Sequence, residues 1–125
     1  MIFTIKKNSK LPILKMKIFK DGRNFQDVST FMNLLEEQNV ITFSMKNVDN
    51  NQYKIVNKHG VVLLKTPATE NSVVEYYISY KFNEEETDTV GIYKGEFKVT
   101  FSNEEYIILP IQDELYIHIK DSFIQ

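Results

Sequence analysis

Two histidines and four clusters of acids carry most of the reactive chemistry in this sequence: His59, His118, Glu36/Glu37, Glu84/Glu85/Glu86, Glu104/Glu105 and Asp113/Glu114. His59 stands in an "HG" turn and His118 between apolar residues of an alternating run, and neither has a partner at ligand spacing such as H-x-x-x-H, so no metal is expected. Paired carboxylates hydrolyse a glycoside only when held about 5–10 Å apart across a cleft. Acids adjacent in a turn point at water instead, and all four clusters read as solvated loop tips. The 84–88 cluster also lacks the D-x-D-x-D-G order of a calcium loop. With no cysteine there is no disulfide, thiolate metal site or cysteine nucleophile. G-x-S-x-G, the P-loop and G-x-G-x-x-G are absent, and four glycines leave no phosphate-cradling loop. The expectation is a protein with no catalytic residues and no cofactor, not an enzyme.

Binding chemistry is the remaining class. Nucleic-acid recognition calls for aromatics interleaved with lysines on one exposed face. In "LKMKIFK" the lysines alternate with residues that read as buried, which is the pattern of an amphipathic strand, so no nucleic-acid partner is expected. Seven tyrosines, Tyr53, Tyr76, Tyr77, Tyr80, Tyr93, Tyr106 and Tyr116, permit stacking on sugars. There is no Trp to strengthen that reading, and most of these tyrosines fall at core positions. The charge is polarised: residues 1–23 carry seven basic side chains and one acid, the rest eight basic and sixteen acidic. Such a segment binds nucleic acid, protects strand edges in solvent, or docks head to tail on the acidic body of another copy. The N-terminal stretch is not patterned as a signal peptide and no later run is long enough to span a bilayer, so a cytoplasmic protein with no membrane partner is expected.

Period-two alternation dominates the elements that must position these groups. "LKMKIF" (14–19), "VITFSMK" (40–46), "YKIVN", "VVLLK", "VVEYYISYKF" (73–82), "IYKGEFKVTF" (92–101), "YIIL" and "ELYIHIK" all read as strands. The longest is expected to be 73–82, with 92–101 as its neighbour, and Gly95 leaves a gap in the latter's apolar stripe for a bulky neighbour or a bulge. "NVDNNQ" reads as a hairpin loop. Only "NFQDVSTFMNLLEEQN" breaks the pattern: three-and-four spacing of Val28, Phe31, Met32 and Leu35 predicts a short helix over about 27–38. Seven to nine short strands at roughly ten-residue spacing predict a single domain over 1–125, a two-sheet antiparallel β-sandwich.

Several segments together resemble a known group. "KKNSKLPILKMKIFKDGR", "ITFSMKN", "TDTVGIYKGEFKVTFSNEE" and "LPIQDELYIHI" are similar to the immunoglobulin-like domains of tailed-bacteriophage virion proteins, in particular the N-terminal domain of the baseplate upper protein. They cover about half of the chain. The Lys-, Asn- and Ile-rich composition also resembles small structural proteins of crAss-like phages. The resemblance implies an all-β, immunoglobulin-like antiparallel β-sandwich, in the virion after assembly in the host cytoplasm, and the helical insertion expected from the spacing is a departure from the family's pattern. The implied role is an auxiliary or decoration protein on the capsid, or alternatively a tail or baseplate adaptor; the competing class, from the tyrosines rather than the resemblance, is a carbohydrate-binding adhesion module. Its partners would be the major capsid protein, tail or baseplate proteins, or copies of itself.

Within that reading, Ile2, Phe3 and Ile5 are apolar anchors beside Lys6, Lys7 and Lys10, whose charge steers docking. Phe123 and Ile124, after the last strand, are expected to be either an extra edge contact or a second partner anchor. Tyr93 has a structural role: at the start of the penultimate strand its hydroxyl is expected to bond the preceding loop as a tyrosine corner, with Gly91 allowing the close approach.

Overall fold

The computed structural model describes residues 1–17, 40–65, 76–100, 104–111 and 113–123. The helix expected over about 27–38 lies outside these residues, as does Ile124. Among the described residues there are nine strands: β1 (Ile2–Lys6), β2 (Leu14–Lys17), β3 (Val40–Asn47), β4 (Tyr53–Lys58), β5 (Val62–Lys65), β6 (Tyr76–Tyr80), β7 (Gly91–Thr100), β8 (Tyr106–Leu109) and β9 (Leu115–Lys120). They build two sheets. The larger runs β1-β9-β7-β3-β4, with β8 also paired to β7, and the smaller runs β2-β6-β5. The fold is all-β, and the two sheets lie in a sandwich-like arrangement.

Alternation does the work expected of it. On β7 the buried Tyr93, Phe97 and Val99 face inward while Lys94, Glu96 and Lys98 face out, and on β9 Leu115, Ile117 and Ile119 are buried. The smaller sheet contributes Leu14, Met16, Ile78 and Tyr80 to the same core. Phe43 joins the two layers: its ring stacks on Tyr80 at 4.7 Å between centroids and meets Phe82 edge-on at 5.9 Å. The gap expected at Gly95 is filled by this ring. A Cβ on Gly95 would sit 3.0 Å from two Phe43 ring carbons and 2.7 Å from Ile117 Cδ1.

Turn chemistry follows from side chains that bond locally. In the β3–β4 hairpin, Asn47 Oδ1 accepts from the N–H groups of Asp49 (2.8 Å) and Asn50 (3.3 Å), and Asn51 takes a left-handed φ of 57° that Asn tolerates. At the "HG" turn Gly60 has φ 106°, a region that L side chains rarely enter, and there the chain leaves the larger sheet for the smaller.

Four expectations are corrected. The sandwich is not purely antiparallel, because β1 pairs with β9 in parallel, Ile2 opposite Tyr116 through Lys6 opposite Lys120. The segment 73–82 is not the neighbour of 92–101: β6 pairs with β2 and β5, and β7 with β3, β8 and β9. Two strands with matching apolar stripes can pair edge to edge or pack face to face, and the stripe specifies only which face is buried. Of 73–82 only Tyr76–Tyr80 is strand among the described residues, and β7, at 10 residues, is longer. Phe82 keeps the buried pattern, 1% exposed, after the backbone has left the sheet. Finally, Tyr93 does not open the penultimate strand, since both β8 and β9 follow β7.

Candidate functional site

Tyr93 is 2% exposed, and its hydroxyl donates to the Thr89 carbonyl at 2.9 Å, closing the 81–90 connection onto β7. Gly91 lies under the same ring: a Cβ there would be 3.5 Å from Tyr93 Cε2 and 3.1 Å from Asn47 Nδ2. The pair holds the loop. Tyr93→Phe is expected to lower the unfolding free energy by about 1–2 kcal/mol, since the Thr89 carbonyl loses its donor. Urea denaturation measures this, and a variant as stable as the parent would show that water replaces the hydroxyl.

The anchor residues expected in the two terminal segments separate into three groups. Ile5 is 1% exposed and belongs to the chain's own core, so it is not an anchor for another molecule. Phe3 is partly spent in the same way, packing on the core with its ring 6.0 Å from that of Phe82. Ile2 is 65% exposed, at the start of β1, where Met1 bonds Asp113 and the Glu114 carbonyl.

The third group converges. Because β1 and β9 run parallel, their C-terminal ends meet: the Lys7 N–H donates to the Lys120 carbonyl at 2.8 Å, and Lys6 Nζ to the Asp121 carbonyl at 3.3 Å. Two residues further on, Phe123 is 96% exposed. Lysines from one end of the sequence and an exposed aromatic from the other thus share one corner of the larger sheet. Among the described residues β1 is also the last strand on that side. Lys10 lies away from this corner, 3.9 Å from Glu84.

One acidic cluster departs from expectation. Glu86 is 8% exposed rather than solvated. Its Oε1 accepts from the Asn83 N–H and its Oε2 from the Tyr80 hydroxyl at 2.7 Å, while Asn83 Oδ1 accepts from the Glu86 N–H. This is the reciprocal bonding of a capping box, here closing a single turn. Burial, and then the Glu86 carboxylate, push the Tyr80 phenol well above its ordinary pKa. The turn is further tied to the chain after β1, Thr87 Oγ1 donating to the Ser9 carbonyl and the Asn8 N–H to the Thr87 carbonyl, both at 2.9 Å.

Beside this turn lies an open cleft of 640 Å³ lined by Lys54, Lys58, Glu85, Glu86 and Asp88. Both of its lysines are matched within the chain: Lys54 hydrogen-bonds Asp88, lowering that carboxyl's pKa, and Lys58 Nζ is 3.7 Å from Glu86. The cleft therefore serves to lock the 81–90 connection to β4. Among the described residues no group of three His, Asp or Glu side chains could hold a metal ion. His59 is exposed in its turn, and His118 is on the outward face of β9. Comparison with known proteins returned no family model, no curated protein and no solved structure that matches the chain.

Proposed function

We propose that this chain is a non-catalytic structural protein of a tailed-phage virion, an immunoglobulin-like module held on the capsid as an auxiliary or decoration subunit by protein–protein contacts. The observation that carries the binding half of this reading is the corner where Lys6 and Lys7 lie against the segment leading to Phe123. An aromatic side chain that is 96% exposed beside two lysines has the composition of an interface anchor with steering charges around it. The immunoglobulin-like half is supported by the Tyr93 hydroxyl bond to the loop before its strand, and by the sequence resemblance of "TDTVGIYKGEFKVTFSNEE" to phage domains of that kind.

Mass spectrometry of purified particles is expected to find the chain at a fixed ratio to the major capsid protein. Phe123→Ser is expected to cut its incorporation by about tenfold or more, while thermal stability changes by no more than about 0.5 kcal/mol, as for other exposed positions. Particles without the chain would rule out the virion assignment. Full incorporation of the variant would rule out the corner as the contact.

A further inference from the structure

The cross-strand register of the larger sheet builds on its outward face a pattern that no single strand shows. Tyr116 on β9 stands opposite Lys94 on β7, Lys94 opposite Lys46 on β3, and Lys46 opposite Tyr53 on β4, where a register shift after the Met45–Ile55 pair takes Tyr53 off the face of the buried Ile55. This is a row of tyrosine, lysine, lysine, tyrosine running across four strands. A little further along β7, the Lys98 ammonium sits 4.6 Å above the ring of Tyr106 on β8. Tyr53 and Tyr106 are 63% and 62% exposed, so these rings are open to solvent.

Charge is segregated onto the same face. The positions that alternate with the buried residues of β1, β3, β7 and β9 include five lysines, these three with Lys6 and Lys120, and one acid, Glu96. The chain as a whole has a net charge of −2, so composition does not account for the excess. Glu114, at the edge of the row, accepts from Lys94 at 3.0 Å and also from the Tyr116 hydroxyl, and so fixes the positions of both.

We propose that this face binds single-stranded nucleic acid, with phosphates over Lys46, Lys94 and Lys98 and bases stacked on Tyr53, Tyr106 and Tyr116. Adjacent strands lie about 4.8 Å apart, so Tyr116 and Tyr53 are separated by about 14 Å with two cations between them. That is the scale on which aromatic side chains of an open sheet stack two or three bases. Both halves of the pattern are needed to choose this ligand. A neutral glycan would use the rings but not the lysines, and an acidic protein surface would use the lysines but leave the rings without a partner. The three lysines and three tyrosines that would hold the ligand are not those of the Phe123 corner, so the proposal stands or falls independently of the virion contact.

Fluorescence anisotropy of the full chain with labelled oligothymidylate and oligouridylate tests this. Binding with a Kd in the micromolar range, up to about 100 μM, is expected, and it weakens as salt rises. The Lys46→Ala/Lys94→Ala double variant should reduce affinity at least about tenfold and flatten the salt dependence, each lost phosphate contact removing about 0.7 from the slope of log K against log salt. Tyr53→Ala should reduce affinity about tenfold with the salt slope unchanged, because stacking releases no counterions. Preference for one oligonucleotide would identify DNA or RNA as the ligand, and either supports the site. Melting curves establish that the variants are folded. No binding by the parent chain at low salt would overturn the proposal. So would binding that all the variants retain, or equal binding of heparin together with no effect of Tyr53→Ala, which would mean general attraction to polyanions.

Discussion

Gly95→Ala, a change of one methyl group, is expected to lower the unfolding free energy by about 2 kcal/mol. Elsewhere in a strand the same substitution stabilises by about 0.4–1 kcal/mol, because alanine loses less backbone freedom on folding. Here the new Cβ would stand 2.7 Å from Ile117 Cδ1 and 3.0 Å from two carbons of the Phe43 ring. Ile117 and Phe43 are both fully buried, and Phe43 also packs on Tyr80, Phe82 and Phe97, so neither can move without disturbing the contact between the sheets. Overpacking in such a place costs about 1–3 kcal/mol and outweighs the gain in chain entropy. Urea denaturation of the single variant, and of Gly95→Ala combined with Phe43→Leu, measures both the cost and its source. A coupling of about 1 kcal/mol or more in favour of the double variant is expected. An alanine variant as stable as the parent would show that the core at this point has room to spare.

Glu86→Ala is expected to be more damaging, at about 3 kcal/mol, while Glu86→Gln should cost about 1–2 kcal/mol. The carboxylate satisfies the buried Tyr80 hydroxyl and the Asn83 N–H at the same time and faces Lys58 at 3.7 Å. Alanine leaves both donors without an acceptor. Glutamine keeps an oxygen for Asn83 and can donate its amide to the Tyr80 oxygen, but it takes away the acceptor of the Tyr80 O–H and the charge attraction to a lysine that is itself half in water. Denaturation midpoints of the two variants decide the matter. Equal losses would mean that the negative charge, rather than the hydrogen-bonding shape, holds the turn. A loss below about 1 kcal/mol for alanine would mean that water reaches Tyr80 and Asn83.

What the sequence reveals and conceals here has a physical explanation. Period-two patterning is a statement about burial, so Leu14 and Met16, Phe43 and Met45, Phe97 and Val99, and Leu115 and Ile117 are all found inside. Patterning says nothing about which strands share a sheet, and for that reason β6 and β7 are misplaced as neighbours. Strand β1 escapes recognition because only Ile5 of its five residues is fully buried and an edge strand need not alternate cleanly. The capping box of Asn83 and Glu86 is visible as N-x-x-E, and reading it as a cap rather than as a run of acids would have marked Glu86 as structural. The site is less legible than the fold. The corner with Lys6, Lys7 and Phe123 depends on pairing the first strand with the last, and the tyrosine–lysine row depends on the register of four strands, so neither corresponds to any contiguous motif.

The β1–β9 pairing also dictates the order in which the described strands can pair. Met1 bonds the carbonyl of Glu114, 113 positions away in the chain, and β1 has no other strand partner among the described residues. Of the described strands, the first to be made is therefore the last to be paired, since its partner emerges after all the others. Contacts this distant are slow to form, as the closure entropy of nearly the whole chain is lost before any bond is gained. Until β9 arrives, Ile2, Phe3 and Ile5 stay out of their native environment, and the incomplete sheet offers the edge of β7 that β9 will later cover. The same pairing creates the corner of Lys6, Lys7 and Phe123, which therefore does not exist until β1 and β9 have met.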